Sequence, residues 1–293
     1  MSDKRYLGNI ITQNPTAPAG NFGNSAAKGV WSLEEQLAYQ KAGLWPVPGT
    51  FPVNVEEVFS TYLYTGTEAS TQTITNNIDL SGEGGLVWVK ARDGAINHVL
   101  MDTEQGIGKF LNSNQNYAQQ TNSEGMKSFN SNGFTFGTQT GVGWSNDHVY
   151  WTFRKAPKFF DVVTYTGNGT SGKSLSHNLG VAPGVVIIKK TDAAANWYVY
   201  HRDIGTGKYL QLNLTDAQVT NSSYFVSASS TDFVLGSNGS VNGNGQSHVA
   251  YLFAHNNNDG GFGPDGDADA IKCGSYTGNG LSLIHISEPT RPY

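Results

Sequence analysis

Hydrophobic and polar residues alternate in short bursts along most of this chain. From about residue 56 onward, runs rich in Val, Ile, Tyr, Phe, Trp and Thr are separated by clusters of Gly, Asn, Ser and Asp, the pattern of strands divided by turns. The runs place strands near 58–65, 72–78, 86–91, 97–102, 109–113, 134–138 and 148–155. A second set follows, in which Leu210, Leu212 and Leu214 alternate with Gln211 and Asn213, a period of two that predicts a further strand. The stretch 113–125, SNQNYAQQTNSEG, is too long for a hairpin turn and is expected to cap a sandwich end. Helical periodicity is not sustained in this part of the chain. The expected fold class is all-β, with tandem antiparallel β-sandwich (jelly-roll-like) domains behind a short N-terminal extended and helical segment.

The two sets of strands are copies of one another. Tyr64-Thr65-Gly66 returns as Tyr165-Thr166-Gly167, and Gly85-Leu86-Val87-Trp88-Val89-Lys90 returns as Gly184-Val185-Val186-Ile187-Ile188-Lys189. Gly108-Lys109-Phe110-Leu111, Phe134-Thr135-Phe136-Gly137 and His148-Val149 return as Gly207-Lys208-Tyr209-Leu210, Phe233-Val234-Leu235-Gly236 and His248-Val249. Matches in one order at nearly one offset, about one hundred residues, mark a duplication. Tyr276-Thr277-Gly278-Asn279-Gly280 repeats Tyr165-Thr166-Gly167-Asn168-Gly169 and reads as the start of a third copy. The expected organisation is an N-terminal segment over 1–55 with a short helix at 33–42, then sandwich repeats over 56–160 and 161–258. A Gly- and Asp-rich linker over 259–270, a truncated third repeat over 271–280 and a tail over 281–293 complete it.

That tail has its own explanation. Leu281 to Arg291 read LSLIHISEPTR, which is similar to the translation of a transposase adapter used in preparing DNA libraries. Residues 281–293 are therefore expected to be adapter-derived and carry no functional argument. At the other end, 13–29 is rich in Gly, Ala, Pro, Ser and Asn and should be extended. Ser32 and Glu35 form a capping box, with Lys41 in the last turn and Gly43 as the stop. A helix this short needs a partner, reached through Trp31, Leu33, Leu37 and Trp45, either on its own first sandwich or at an assembly joint.

Composition removes function classes without naming one. The 293 residues carry a formal charge of −5, charged residues are only 14%, and Gly is 36. A strongly basic nucleic-acid binder is excluded. No apolar stretch approaches the ~18 residues of a membrane helix, and MSDKRYLGNIITQ lacks the features of a secretory signal. Cys273 is the single cysteine, so no disulfide framework is available.

Candidate chemistry is sparse. Asp102 and Glu104 have the spacing of paired acids on one strand face, but the second copy offers His201 and Asp203 there, and solvated loop acids are the expected reading. No G-x-S-x-G elbow is present, and Cys273 reads as a small buried thiol. His148 and His248 stand at equivalent places before the last strand of each copy. They read as strand-end hydrogen-bonding residues ahead of a metal or ligand site, while His98 and His201 fall in different registers. Asp265, Asp267 and Asp269 alternate like a calcium loop, but Ala270 and Tyr276 stand where an EF-hand needs Gly and Glu. This leaves a looser calcium-binding linker or a plain acidic connection. Trp88, Trp144, Trp151, Trp197 and Tyr209 are candidates for stacking on sugar rings, against a core or cross-strand role. Asn168, Asn213, Asn221 and Asn238 head glycosylation sequons that carry no meaning without a secretory route.

Three stretches carry a resemblance. GVWSLEEQLAYQKAGLWP, YWTFRKAPKFFDVVTYTGNGT and HNLGVAPGVVIIKKTD with NWYVYHRDIGTGKYLQLN resemble segments of marine bacteriophage tail and virion proteins with tandem concanavalin A-like, or laminin G-like, sandwich repeats. The resemblance implies a virion protein of a tail fibre or appendage, assembled in the host cytoplasm and free to read a host-surface glycan. It implies as partners other virion or tail proteins, further copies of the chain (a trimer among the options) and a surface glycan, without nucleic acid or membrane insertion. It transfers no catalytic residue, cofactor or metal. A lectin-like module outside any phage is the alternative class, and a glycan depolymerase a third.

Overall fold

The computed structural model describes residues 31–42, 53–263 and 266–278. Expectations for 13–29, Gly43, Trp45, Asp265 and the tail over 281–293 fall outside these residues. Helix α1 spans Leu33–Lys41 and begins as its capping box requires. The Ser32 N–H donates to Glu35 Oε2 at 2.8 Å, and the Glu35 N–H donates to Ser32 Oγ at 3.2 Å. Leu33 is 84% exposed and Leu37 49%, so neither of these two expected docking residues is buried on the sandwich. Trp31 instead meets Tyr39 edge to face, with ring centroids 5.3 Å apart.

After a single helical turn at Val55–Val58 (α2) the chain is β throughout, apart from short turns. The first copy contains β1 (Phe59–Thr65), β2 (Gln72–Thr75), β3 (Gly85–Ala91), β4 (Val99–Asp102) and β5 (Lys109–Asn112). It continues with β6 (Gln120–Thr121), β7 (Met126–Asn130), β8 (Gly133–Phe136) and β9 (Asp147–Arg154). The second contains β10 (Phe160–Thr166), β11 (Lys173–Ser176), β12 (Pro183–Lys190), β13 (Tyr198–His201) and β14 (Lys208–Gln211). It ends with β15 (Val219–Thr220), β16 (Phe225–Ala228), β17 (Asp232–Leu235), helical turn α3 (Gly239–Asn242) and β18 (Ser247–Ala254).

Each copy is a six-stranded sheet packed on a three-stranded one, and the orders correspond strand for strand. The first copy has β1-β9-β3-β4-β5-β6 over β2-β8-β7, the second β10-β18-β12-β13-β14-β15 over β11-β17-β16. All pairings are antiparallel, so the fold class is all-β sandwich, as the sequence pattern indicates. One irregularity of register is duplicated, although the shift between Pro183 and Val185 has no counterpart in β3. The break in register between Met126 and Ser128 answers one between Phe225 and Ser227. The conserved spacing of the Tyr-Thr-Gly motif has a local cause: a Cβ on Gly66 would sit 2.6 Å from the Gly143 carbonyl oxygen, and one on Gly167 2.2 Å from that of Gly243. Neither contact is tolerable, so the strand can turn past its neighbour only as glycine.

Each sandwich encloses its own core. Ile74, Val87, Val89, Met101, Phe134, Phe136 and Tyr150 fill the first, and Leu175, Val186, Ile188, Tyr200, Phe225, Phe233 and Leu252 the second. A third core lies between the copies. The outward faces of the two six-stranded sheets meet through Leu86, Leu100 and Leu111 on one side and Phe160, Val162, Ile187, Trp197, Val199, Tyr251 and Phe253 on the other. The copies are fused face to face, a contact that the sequence reading of two consecutive repeats did not include.

Three sequence expectations change accordingly. The 113–125 stretch includes β6, and its first half docks on the second copy instead of capping its own. Gln119 N–H donates to Thr191 O at 2.8 Å, and Ala195 N–H to Asn116 O at 2.9 Å. Leu212 and Leu214 follow β14 in a turn and are 39% and 43% exposed, so their alternation is not a strand. The described residues of the Gly- and Asp-rich 259–270 stretch, 259–263 and 266–270, pack on the body: Phe262 enters the shared core, and Phe262 and Ala268 exchange backbone hydrogen bonds.

Candidate functional site

The alternation of β3 and β9 decides which residues are available for recognition. Val87, Val89 and Tyr150 point into the first sandwich, so Leu86, Trp88 and Lys90, with Trp151 and Phe153, take the opposite face. Trp88 and Trp151 are direct cross-strand partners, with ring centroids 6.3 Å apart and planes at 76°. The second copy covers the Leu86 end of this face. The rest of the face is an open cleft of about 400 Å³ lined by Trp88, Lys90, His98, Trp151 and Phe153 of the first copy. Leu63, opposite Val149 on the neighbouring strand, extends the apolar strip and is 59% exposed.

The polar groups of the cleft sit at its rim. Lys90 Nζ donates to the carbonyls of Ala91 at 2.6 Å and Gly94 at 3.2 Å, which fixes the ammonium in place. His98 is pushed below the usual imidazole range by burial and by the charge of Lys90, so it is neutral at pH 7. Among the described residues no carboxylate lines the cleft.

The second copy treats the same positions differently. Ile187, Lys189, Trp197, Tyr251 and Phe253 correspond to Trp88, Lys90, His98, Trp151 and Phe153, and all five are buried. Trp197 Nε1 donates to the carbonyls of Asn112 and Gln115, each at 3.0 Å. Lys189 Nζ reaches the Lys190 carbonyl at 2.8 Å and that of Asn116 at 3.5 Å. Here the loop after β5 occupies what is open space in the first copy.

Asp102 is the main correction to the sequence reading of the acids. It is wholly buried in the shared core, where its carboxylate accepts the Tyr251 hydroxyl at 2.7 Å, the Gln105 N–H at 2.8 Å and the Gln105 side-chain amide. Burial pushes its pKa above the usual carboxylate value against these hydrogen bonds. Glu104 lies instead on the surface, paired with Lys155 at 2.8 Å. The two acids do not face one cleft, and Asp102 joins the two copies.

His148 and His248 occupy duplicated environments. Their Nδ1 atoms donate to the carbonyls of Asn146 at 2.8 Å and Gln246 at 3.0 Å. Both Nε2 atoms are buried without a partner. The rings stack on Tyr150 and Tyr165, and burial lowers both pKa values, that of His248 to about 4. They act as strand-end hydrogen-bonding residues. His98 precedes β4 and His201 ends β13, in different registers.

The remaining candidates scatter. Tyr209 packs among Tyr198 and Tyr224, and Trp144 lies in the loop before β9, so of the five proposed stacking residues only Trp88 and Trp151 share a surface. Burial raises the Cys273 thiol to about 11, and it donates to the Ala254 carbonyl at 3.3 Å. The Asp269 carboxylate accepts N–H groups from Asn258 and Gly260, each at 3.0 Å. Among the described residues no three of His, Cys, Asp and Glu cluster as metal ligands, and no helix is long and apolar enough to cross a membrane. The sequon residues serve turns: Asn238 caps α3, and Asn213 Oδ1 accepts the Trp197 N–H at 2.9 Å. A larger, polar hollow of about 690 Å³ in the second copy includes Tyr200, Arg202, His255 and Asp259.

Fold and site together define a duplicated β-sandwich protein with one open aromatic cleft. The chain belongs to the family described as Domain of unknown function (DUF7483), which matches residues 55–283, a span that takes in both copies. No curated protein and no solved structure matches it.

Proposed function

We propose that this chain is a structural protein of a phage virion, a component of a tail fibre or appendage, that reads a glycan on the host surface and acts without catalysis. The observation that carries this reading is the fusion of two copies through a third apolar core. Such a body is stiff, because relative motion of the copies would expose Trp197 and Tyr251 and break the Asp102 hydrogen bonds. Stiffness and a low surface charge suit a load-bearing part of an assembly. The resemblance of the 29–46 stretch to phage tail proteins supplies the phage context, and the exposed Leu33 and Leu37 of α1 give the assembly a joint. Proteomic analysis of purified virions from the host carrying the gene tests the proposal: peptides of this chain are expected at structural stoichiometry, and their absence sinks it.

The open cleft favours a second reading, a lectin-like module outside any phage. It is distinguished by glycan binding in a chain whose gene has no virion genes beside it.

A further inference from the structure

We propose that the cleft over β3 and β9 binds a sugar residue bearing a carboxylate, its C–H face on Trp151 and its acid group at Lys90. This rests on the host-surface reading above and names the ligand class. The two indoles form a corner, with rings 76° apart. A pyranose has an apolar C–H face and a hydroxyl edge, so it can stack on one wall and meet the other with its rim. The space, about 400 Å³, is of ligand-site size.

The charge of the rim selects the acid. Lys90 Nζ uses two donors on the carbonyls of Ala91 and Gly94, and an ammonium has three. Among the described residues no carboxylate lines the cleft to compensate its charge. In the second copy the corresponding Lys189 bonds the same kind of own-strand carbonyl, and an oxygen from the other copy, that of Asn116, approaches it. Among the described residues no oxygen of the second copy approaches Lys90 in this way. A ligand carboxylate in that place gives Lys90 the approach that Asn116 gives Lys189, with a formal charge in addition. Neutral His98 at the same rim can exchange a hydrogen bond with a hydroxyl.

The test titrates the full chain with an oligogalacturonate and with a neutral galactan oligomer of equal length, following tryptophan fluorescence and heat. Saturable binding of the acidic oligomer is expected, weakening several-fold between about 50 and 500 mM salt as screening rises. Trp151→Ala should cut affinity about tenfold or more. Lys90→Met should reduce the preference for acidic over neutral oligomer about fivefold while the Tm stays near that of the wild type. No saturable binding of the acidic oligomer, binding indifferent to Trp151→Ala, or equal affinity for the neutral oligomer each overturns the proposal. So does protection of the cleft tryptophans from acrylamide quenching in the free chain, which would place the chain's own 33–41 helix there. A chain present in virions that fails the titration loses this ligand and keeps its virion role; binding by a chain absent from virions does the reverse.

Discussion

The two copies share strand order and the break before β8 and β17, yet one face is fully covered in the second copy and only partly in the first, where Phe153 still packs on Phe160 and Phe253. In the second copy Ile187, Lys189, Trp197, Tyr251 and Phe253 are buried against the first. In the first copy the equivalent Trp88, Lys90, His98, Trp151 and Phe153 line an open cleft. The strand order is the same in both, so the difference lies in what covers the face: in the second copy the loop after β5 of the first copy docks on it through the carbonyls of Asn112, Gln115 and Asn116. The same face is therefore covered in one copy and partly open in the other, without any change of fold.

The sharpest way to break this comparison is Trp197→Ala. The side chain is wholly buried, its N–H is shared between two carbonyls of the first copy, and its ring stacks on Tyr251. Truncation should cost about 3–5 kcal/mol. It should also split chemical unfolding, followed by near-UV circular dichroism, from one transition into two as the copies lose their common core. A single transition of unchanged midpoint would mean that the third core does not couple them.

The duplicated histidines test where the copies are alike. Each donates through Nδ1 and buries an Nε2 with no acceptor, so a second proton would place an unpaired N–H in the interior. Lys189, Lys190 and Asp192 act on His248, and Lys90 and Asp93 on His148. The folded pKa of His248 is pushed down to about 4, so the unfolded chain binds the extra proton first as pH falls below the usual value near 6.5. Stability is then fully present above about 6.5 and drains away toward pH 4. Asp102, with its pKa raised, works in the opposite sense, losing stability as pH rises above the usual carboxylate value. Comparing urea midpoints of wild type and His248→Gln between pH 7 and 4.5 isolates the histidine. The wild type should lose on the order of 2 kcal/mol more than the variant across that window.

How much of this was legible beforehand follows from where the information sits. The strands announced by hydrophobic runs, the capping box at Ser32 and the Tyr-Thr-Gly motif are local patterns, and each formed. Strands β6 and β7 were not foreseen, because Gln120–Thr121 is polar and the register break at Met126–Ser128 disturbs the period of two. The false strand at Leu212 and Leu214 has a good period but turns away after Gln211. Fusion of the copies left no local trace. Asp102 meets Tyr251 across 149 residues, and an isolated aspartate in a turn-rich stretch looks solvated until its partner is known. The cleft was half visible: Trp88 and Trp151 were among five candidate aromatics, but only the cross-strand register put these two together and hid Trp197.

Trp151→Ala is the mildest change and sharpens the comparison most cleanly. Trp151 and Tyr251 stand at the same place in the two copies, one facing the cleft and the other sealed in the shared core with its hydroxyl on Asp102. If cover by the loop after β5 alone separates their fates, removing the partly exposed indole forfeits mainly its edge contact with Trp88 and should cost well under the Trp197→Ala loss, about 1–2 kcal/mol. Urea denaturation checks this, and the single cooperative transition should persist because the shared core is untouched. A loss as large as that of Trp197→Ala would mean that Trp151 is a structural member of the fused body. The cleft would then be a gap in packing, and both copies would use this face for the same purpose.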